Sequence, residues 1–189
     1  MKETVLENRT ICVFAGRFQP FHLGHQSFYE HLCEKFGKDN VYIASSNIVN
    51  KNSPLSFAQK KKIATKYFGI PSKKFIKCAK PYSPEEILEK FDRKRTSLIL
   101  ALGNKDKDRL QESKYFQTLP KKIVVGLKNC QETTYVYAGP MFANGRCASE
   151  IREQFRLDEP QDQKRSRFLK IFGFFDQKLF DTLTNNLYK

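Results

Sequence analysis

The apolar run Ile11–Ala15 passes directly into Gly16, and a segment from Leu23 to Phe36 follows whose apolar positions recur at helical spacing. Strand, glycine turn and helix make one β-α layer, and the pattern repeats along the chain. Val41–Ser45, Phe75–Cys78, Ser97–Leu102, Lys122–Leu127 and Thr134–Ala138 read as further strands. Helical patterns lie between them. The first ends at Gly37, a C-terminal stop. The second starts after Ser56, an N-cap, and ends near Gly69-Ile70-Pro71. The third opens at Ser83-Pro84-Glu85-Glu86, with proline at the first helical position and acids in the first turn. The fourth covers Lys107 to Gln117. Strand and helix in alternation predict parallel pairing with right-handed crossovers. On such sheets ligands bind at the carboxyl ends of the strands. The Gly16–His25 turn falls at that end of the first strand.

The chain has 189 residues, which fits one domain. Hydrophobic residues make up 40% of it, enough to build a core, and seventeen phenylalanines with no tryptophan make that core phenylalanine-rich. No apolar run approaches the length of a membrane span, and Met1 to Thr10 lack the apolar segment of a secretory signal, so a cytoplasmic protein is expected, in a cell or an infected host cell. The five cysteines, Cys12, Cys33, Cys78, Cys130 and Cys147, are odd in number and contain no Cys-x-x-Cys pair. A disulfide framework and a zinc knuckle are therefore not expected. Cys12 reads as a small core residue. The net charge of +14 favours anionic partners, whether nucleotides, nucleic acid or acidic surfaces. Clusters such as Lys60-Lys61-Lys62 read as solvated helix faces.

The turn itself, Gly16-Arg17-Phe18-Gln19-Pro20-Phe21-His22-Leu23-Gly24-His25, combines a helix start with two imidazoles. Free N–H groups at a helix start favour an anion, and the histidines add donors on the same face. This string resembles the His-x-Gly-His signature of the nucleotidyltransferase superfamily. The longer G-R-F-Q-P-F-H resembles the nicotinamide mononucleotide adenylyltransferases of archaeal and phage type. The resemblance implies that His22 and His25 contact the ATP phosphates and stabilise charge on the α-phosphate and the departing pyrophosphate. It assigns Gly16, Arg17, Phe18, Gln19 and Gly24 to ATP contacts; Phe18, Pro20 and Phe21 also shape the turn. His31, the third histidine, matches nothing.

Cys147-Ala148-Ser149-Glu150-Ile151-Arg152 resembles the family's late S-x-T-x-I-R motif. Arg152 would then bind the β- and γ-phosphates and Ser149 would replace the threonine, while Cys147 stands where a serine is usual. Just before it, Phe142–Arg146 forms a glycine loop in which Arg146 is a candidate phosphate ligand. Gly103-Asn104-Lys105-Asp106 follows a strand and resembles the family's nucleotide loop, where Asp106 bonds a ribose hydroxyl or caps its helix. Ser45-Ser46-Asn47 would contact the acceptor mononucleotide, though these are also ordinary turn residues. Asn52-Ser53-Pro54-Leu55-Ser56 resembles the family's N-P-F-T stretch, but the Glu-Arg pair after it is replaced by Gln59-Lys60.

No carboxylates have metal-ligand spacing, so magnesium, if used, is expected to be held mainly by ATP phosphates and water. The expected fold is α/β: a doubly wound, Rossmann-like parallel sheet of five or six strands with helices on both faces, spanning residues 1–158. Residues 159–189 are read as a helical extension packed on the same domain. Asp162–Phe172 and Asp176–Leu187 form its helices, with Phe168, Leu169, Phe172, Leu179, Phe180, Leu183 and Leu187 as its apolar stripe. An oligomer contact is the alternative use of that stripe. The expected reaction is AMP transfer from ATP to nicotinamide mononucleotide. The alternatives are a cytidylyltransferase or phosphopantetheine adenylyltransferase, or a nucleic-acid-binding protein on the same fold. The resemblance does not choose between nicotinamide and nicotinate.

Overall fold

A computed structural model describes residues 9–104, 110, 115–121, 126–140 and 148–185; for 148, 149, 156 and 185 it describes the backbone alone. The strands are β1 (Arg9–Ala15), β2 (Val41–Ser45), β3 (Phe75–Lys77), β4 (Thr96–Gly103), β5 (Phe116–Thr118) and β6 (Thr134–Gly139). The helices are α1 (Leu23–Phe36), α2 (Phe57–Phe68), α3 (Glu85–Leu88), α4 (Ala148–Arg156), α5 (Gln161–Phe172) and α6 (Gln177–Asn185). All six strands pair in parallel, in the order β3-β2-β1-β4-β6-β5. The chain moves outward from β1 to β3, then returns across β1 to β4. That reversal opens a crevice at the carboxyl ends of β1 and β4.

The central strands are apolar on both faces because both are covered. Cys12, Phe14, Ile43, Ile99 and Ala101 point to one face, against Phe28 and Leu32 of α1, Ile63 and Phe68 of α2, and the helices after residue 148. Ile11, Val13, Leu98 and Leu100 point to the other, against Ile87 and Leu88 of α3. The two faces are unequal: α3 is a single short turn, and the thick layer lies with α1 and α2.

Three sequence expectations are corrected. Phe116 and Gln117, placed in a fourth helix, belong to edge strand β5, where the Thr134 N–H and Leu119 N–H bond across to the neighbouring strand's flanks. Pairing with β6 overrides the helical spacing there. Of the predicted strand Lys122–Leu127, residues 122–125 lie outside the described residues and Gly126-Leu127 are not strand; the Leu127 carbonyl instead accepts from Ser97 Oγ at 3.0 Å. Pro84 caps α3 rather than opening it.

In the C-terminal region Phe168, Phe172, Leu179, Phe180 and Leu183 are buried as the stripe predicts. Leu169 is exposed, because it points away from the face that Phe168 and Ile171 bury, and Leu187 lies outside the described residues. Phe168 packs on Phe155 of α4 and Phe180 of α6 at ring distances of 6.1 and 5.8 Å. Between α5 and α6, Phe174 stacks on Tyr67 of α2 at 3.9 Å, and the Tyr67 hydroxyl donates to Asp176. The four described cysteines are free. No described helix is long and apolar enough to cross a membrane.

Candidate active site at the carboxyl edge of the sheet

The turn after β1 is built from the inside outward. Phe18, with φ of 49°, is the residue in the left-handed region, and Gly16 is not. This bend folds the Phe18 ring back over Gly16. A Cβ on Gly16 would lie 2.9 Å from Phe18 Cζ, so glycine is required for space rather than for its dihedral freedom. The Gly16 N–H meanwhile donates to the Ala44 carbonyl at 3.1 Å, tying the turn to β2.

Buried Phe18 packs edge-on beneath His25 at 5.0 Å, with Phe14 and Phe21 at 6.0 and 5.3 Å from the same imidazole. Its ring therefore supports His25 from below and shapes the turn. Gln19 is 1% exposed. Its side-chain amide donates to the Leu55 carbonyl at 2.7 Å and accepts the Leu55 N–H at 2.8 Å. Both ends of that amide hold the turn to the Asn52–Ser56 stretch. Arg17 is exposed at the mouth.

His22 is the N-cap of α1. Its Nδ1 accepts the Gly24 N–H at 3.1 Å, and His25 Nδ1 accepts the His22 N–H at 3.3 Å. A backbone N–H can only donate, so both Nδ1 atoms must be bare. In the neutral rings the proton therefore sits on Nε2. The rings lie 3.8 Å apart between centroids. Burial lowers the His22 pKa to about 4; burial, and then the charge of His22, lowers that of His25 well below the usual range. Near neutral pH the pair is uncharged, with two Nε2–H donors. His22 is 3% exposed, yet its Nε2 has no hydrogen-bond partner among the described residues. A buried donor left open costs about 1–3 kcal/mol, so its persistence needs a reason.

The depressed His22 pKa has a consequence for stability. The unfolded chain takes up a proton near 6.5 and the folded chain only near 4, so stability is present above pH 6.5 and is lost as pH falls toward 4. His22 alone should remove about 2 kcal/mol by pH 5. Urea midpoints at pH 7 and pH 5 should fall further for the unmodified protein than for His22→Asn; equal falls would contradict this.

Arg152 comes from α4, where Ile151 and Phe155 are buried on the core side. It is 7% exposed and its Nη1 donates to the Gln19 carbonyl at 2.7 Å, so the two sequence motifs meet. Ser149 lies in the first turn of the same helix. Gly103 ends β4 beside Gly139 of β6, and Asn104 follows it, exposed. Lys105, Asp106 and Arg146 lie outside the described residues.

The Ser45-Ser46-Asn47 loop is internally committed. Ser45, fully buried at the end of β2, donates from Oγ to the Arg17 carbonyl at 3.3 Å. Asn47 Oδ1 accepts the Phe57 N–H at 2.8 Å and secures the start of α2. Ser56 and Gln59 close a capping box there. Lys60 was missed. Read as part of a solvated Lys60-Lys61-Lys62 face, it is 0% exposed, and its Nζ donates to Ser45 Oγ at 2.8 Å and to the Ser46 carbonyl at 2.6 Å. The available signal was its position one turn before Ile63 and Ala64, on the face that packs inward.

The cytidylyltransferase-like family model matches residues 13–105, from β1 past the end of β4. Over those residues the chain is similar to that family, and its fold is an open parallel α/β sheet of six strands with a helical C-terminal region. Two solved structures share this fold over nearly the whole chain. Both are of Plasmodium falciparum nicotinic acid mononucleotide adenylyltransferase, one complexed with NaAD (TM-score 0.57) and one with APC (TM-score 0.52). Each is 12% identical and is covered over 95% of this chain and 97% of its own. No curated protein matches the sequence. The matched segment holds His22, His25, Lys60 and the Ser45 loop, while Arg152 reaches the turn from beyond it.

Proposed function

We propose that the protein is an adenylyltransferase joining ATP to nicotinamide mononucleotide, giving NAD and pyrophosphate. The observation that carries this is the buried His22 Nε2–H without a partner, set beside a second neutral histidine at a helix start. A phosphate oxygen of the mononucleotide attacks the α-phosphorus, and the bond to the β-phosphate bridging oxygen breaks. Pyrophosphate leaves with that electron pair. The nucleophile is already ionised near neutral pH, so no general base is needed. The His22 and His25 donors meet the charge that develops on the transferring and departing oxygens, which is where preorganised donors have most effect. Arg17 at the mouth and Arg152 from α4 bind the triphosphate. In this reading magnesium arrives on the triphosphate and keeps much of its water.

The G-R-F-Q-P-F-H string favours the nicotinamide branch, and the likeness to a nicotinic acid mononucleotide enzyme keeps nicotinate mononucleotide as a second acceptor. The cytidylyltransferase-like match keeps CTP as a second donor. Purified protein with magnesium, given ATP or CTP against nicotinamide mononucleotide, nicotinate mononucleotide, phosphopantetheine and glycerol phosphate, should form NAD from the first pair on chromatography. Absence of dinucleotide and pyrophosphate from every pair, with salt-sensitive nucleic-acid binding, would replace this reading with a binding protein.

A further inference from the structure

The structure buries a lysine ammonium with no carboxylate beside it among the described residues. Lys60 Nζ sits below the turn, held by one hydroxyl and one carbonyl of β2's end. Neither described ion pair, Arg93–Glu85 or Arg167–Glu159, involves it. A buried cation is costly unless paired, and two neutral acceptors offset only part of that cost. Through Ser45 the same ammonium is connected to the Arg17 carbonyl, one residue from Gly16 and on the backbone that displays the Arg17 side chain.

We propose that Lys60 is a positioning residue coupled to anion binding: its protonated amine fixes the end of β2 and the Arg17 backbone, and a phosphate chain bound at the turn supplies the missing counter-charge. This rests on the nucleotide reading of the turn. The coupling runs both ways, so a charged Lys60 tightens the anion, and a bound anion holds the proton on Lys60.

Burial lowers the pKa of Lys60 to about 8. The groups facing it from β2 are the Ser45 hydroxyl and the Ser46 carbonyl, and from the turn, through Ser45, the Arg17 carbonyl. The titratable groups at the start of α1, His22 and His25, are already neutral in the range where Lys60 would lose its proton. In the free protein, then, the amine loses its proton at moderately alkaline pH.

The test is calorimetry with magnesium ATP, and with inorganic tripolyphosphate, between pH 7.5 and 9.5. The unmodified protein should bind about tenfold more weakly at the upper end. Lys60→Arg, which stays charged, should retain binding and lose the pH slope. Lys60→Met should bind about tenfold more weakly throughout, also without the slope. Should Lys60→Met fail to fold, Ser45→Ala removes one Nζ acceptor and should reduce the slope. Identical affinity and slope in Lys60→Arg and the unmodified protein would overturn the proposal and leave the adenylyltransferase reading standing. No binding of ATP or tripolyphosphate by the unmodified protein would overturn both.

Discussion

His22→Asn should lower turnover by about a hundred- to a thousandfold while leaving the protein folded at neutral pH. Asparagine is a strong N-cap, so its side-chain oxygen can still take the Gly24 N–H that His22 Nδ1 accepts. What disappears is the Nε2–H, the buried donor without a partner. The variant therefore separates capping from chemistry. If the donor acts on charge present only in the transition state, kcat falls and the KM for ATP changes little. A fall in KM-linked affinity alone would mean that His22 merely binds ground-state phosphate. Unchanged turnover at an unchanged melting temperature would remove the histidine pair from the mechanism.

Arg152→Met should cost both activity and stability. Methionine retains the length of the stem but removes the guanidinium that donates to the Gln19 carbonyl. The orphaned carbonyl should cost about 1–3 kcal/mol, seen as a lower melting temperature. Turnover should drop by about a hundredfold or more, with a marked rise in the KM for ATP, because the same side chain serves the triphosphate in the proposed reaction. Arg152→Lys should not rescue it, since an ammonium cannot reproduce the planar fork. A variant that loses stability yet keeps its KM would confine Arg152 to holding the turn.

Much of the fold was legible because the sequence states it locally. Val41–Ser45 and Leu23–Phe36 appear with the boundaries expected from their apolar spacing, and Ser56 and Gly37 mark ends that the structure keeps. Edge strand β5 was not legible. Three residues with one half-buried aromatic carry no periodicity, and their conformation depends on β6, which is distant in sequence. In the site, His22, His25 and Arg152 were visible as residue types in order along the chain. Their arrangement was not. That both Nδ1 atoms are consumed by backbone, that Gln19 spends its amide on Leu55, and that Phe18 lies beneath the imidazoles all follow from a turn whose left-handed residue is a phenylalanine. Lys60 was misread because a charge run suggests water, whereas its place on the inward face of α2 decides its fate.

The neutrality of the histidine pair divides the work of catching a polyanion between two ranges. Uncharged donors act only at contact, and mobile ions do little to weaken them. Exposed Arg17 and the surplus of +14 act across the surrounding solvent, over a distance that shrinks to about 10 Å at 0.1 M salt. In the proposed reaction ionic strength governs how quickly a nucleotide arrives, and the buried imidazoles act only on the charge that develops once it is in place.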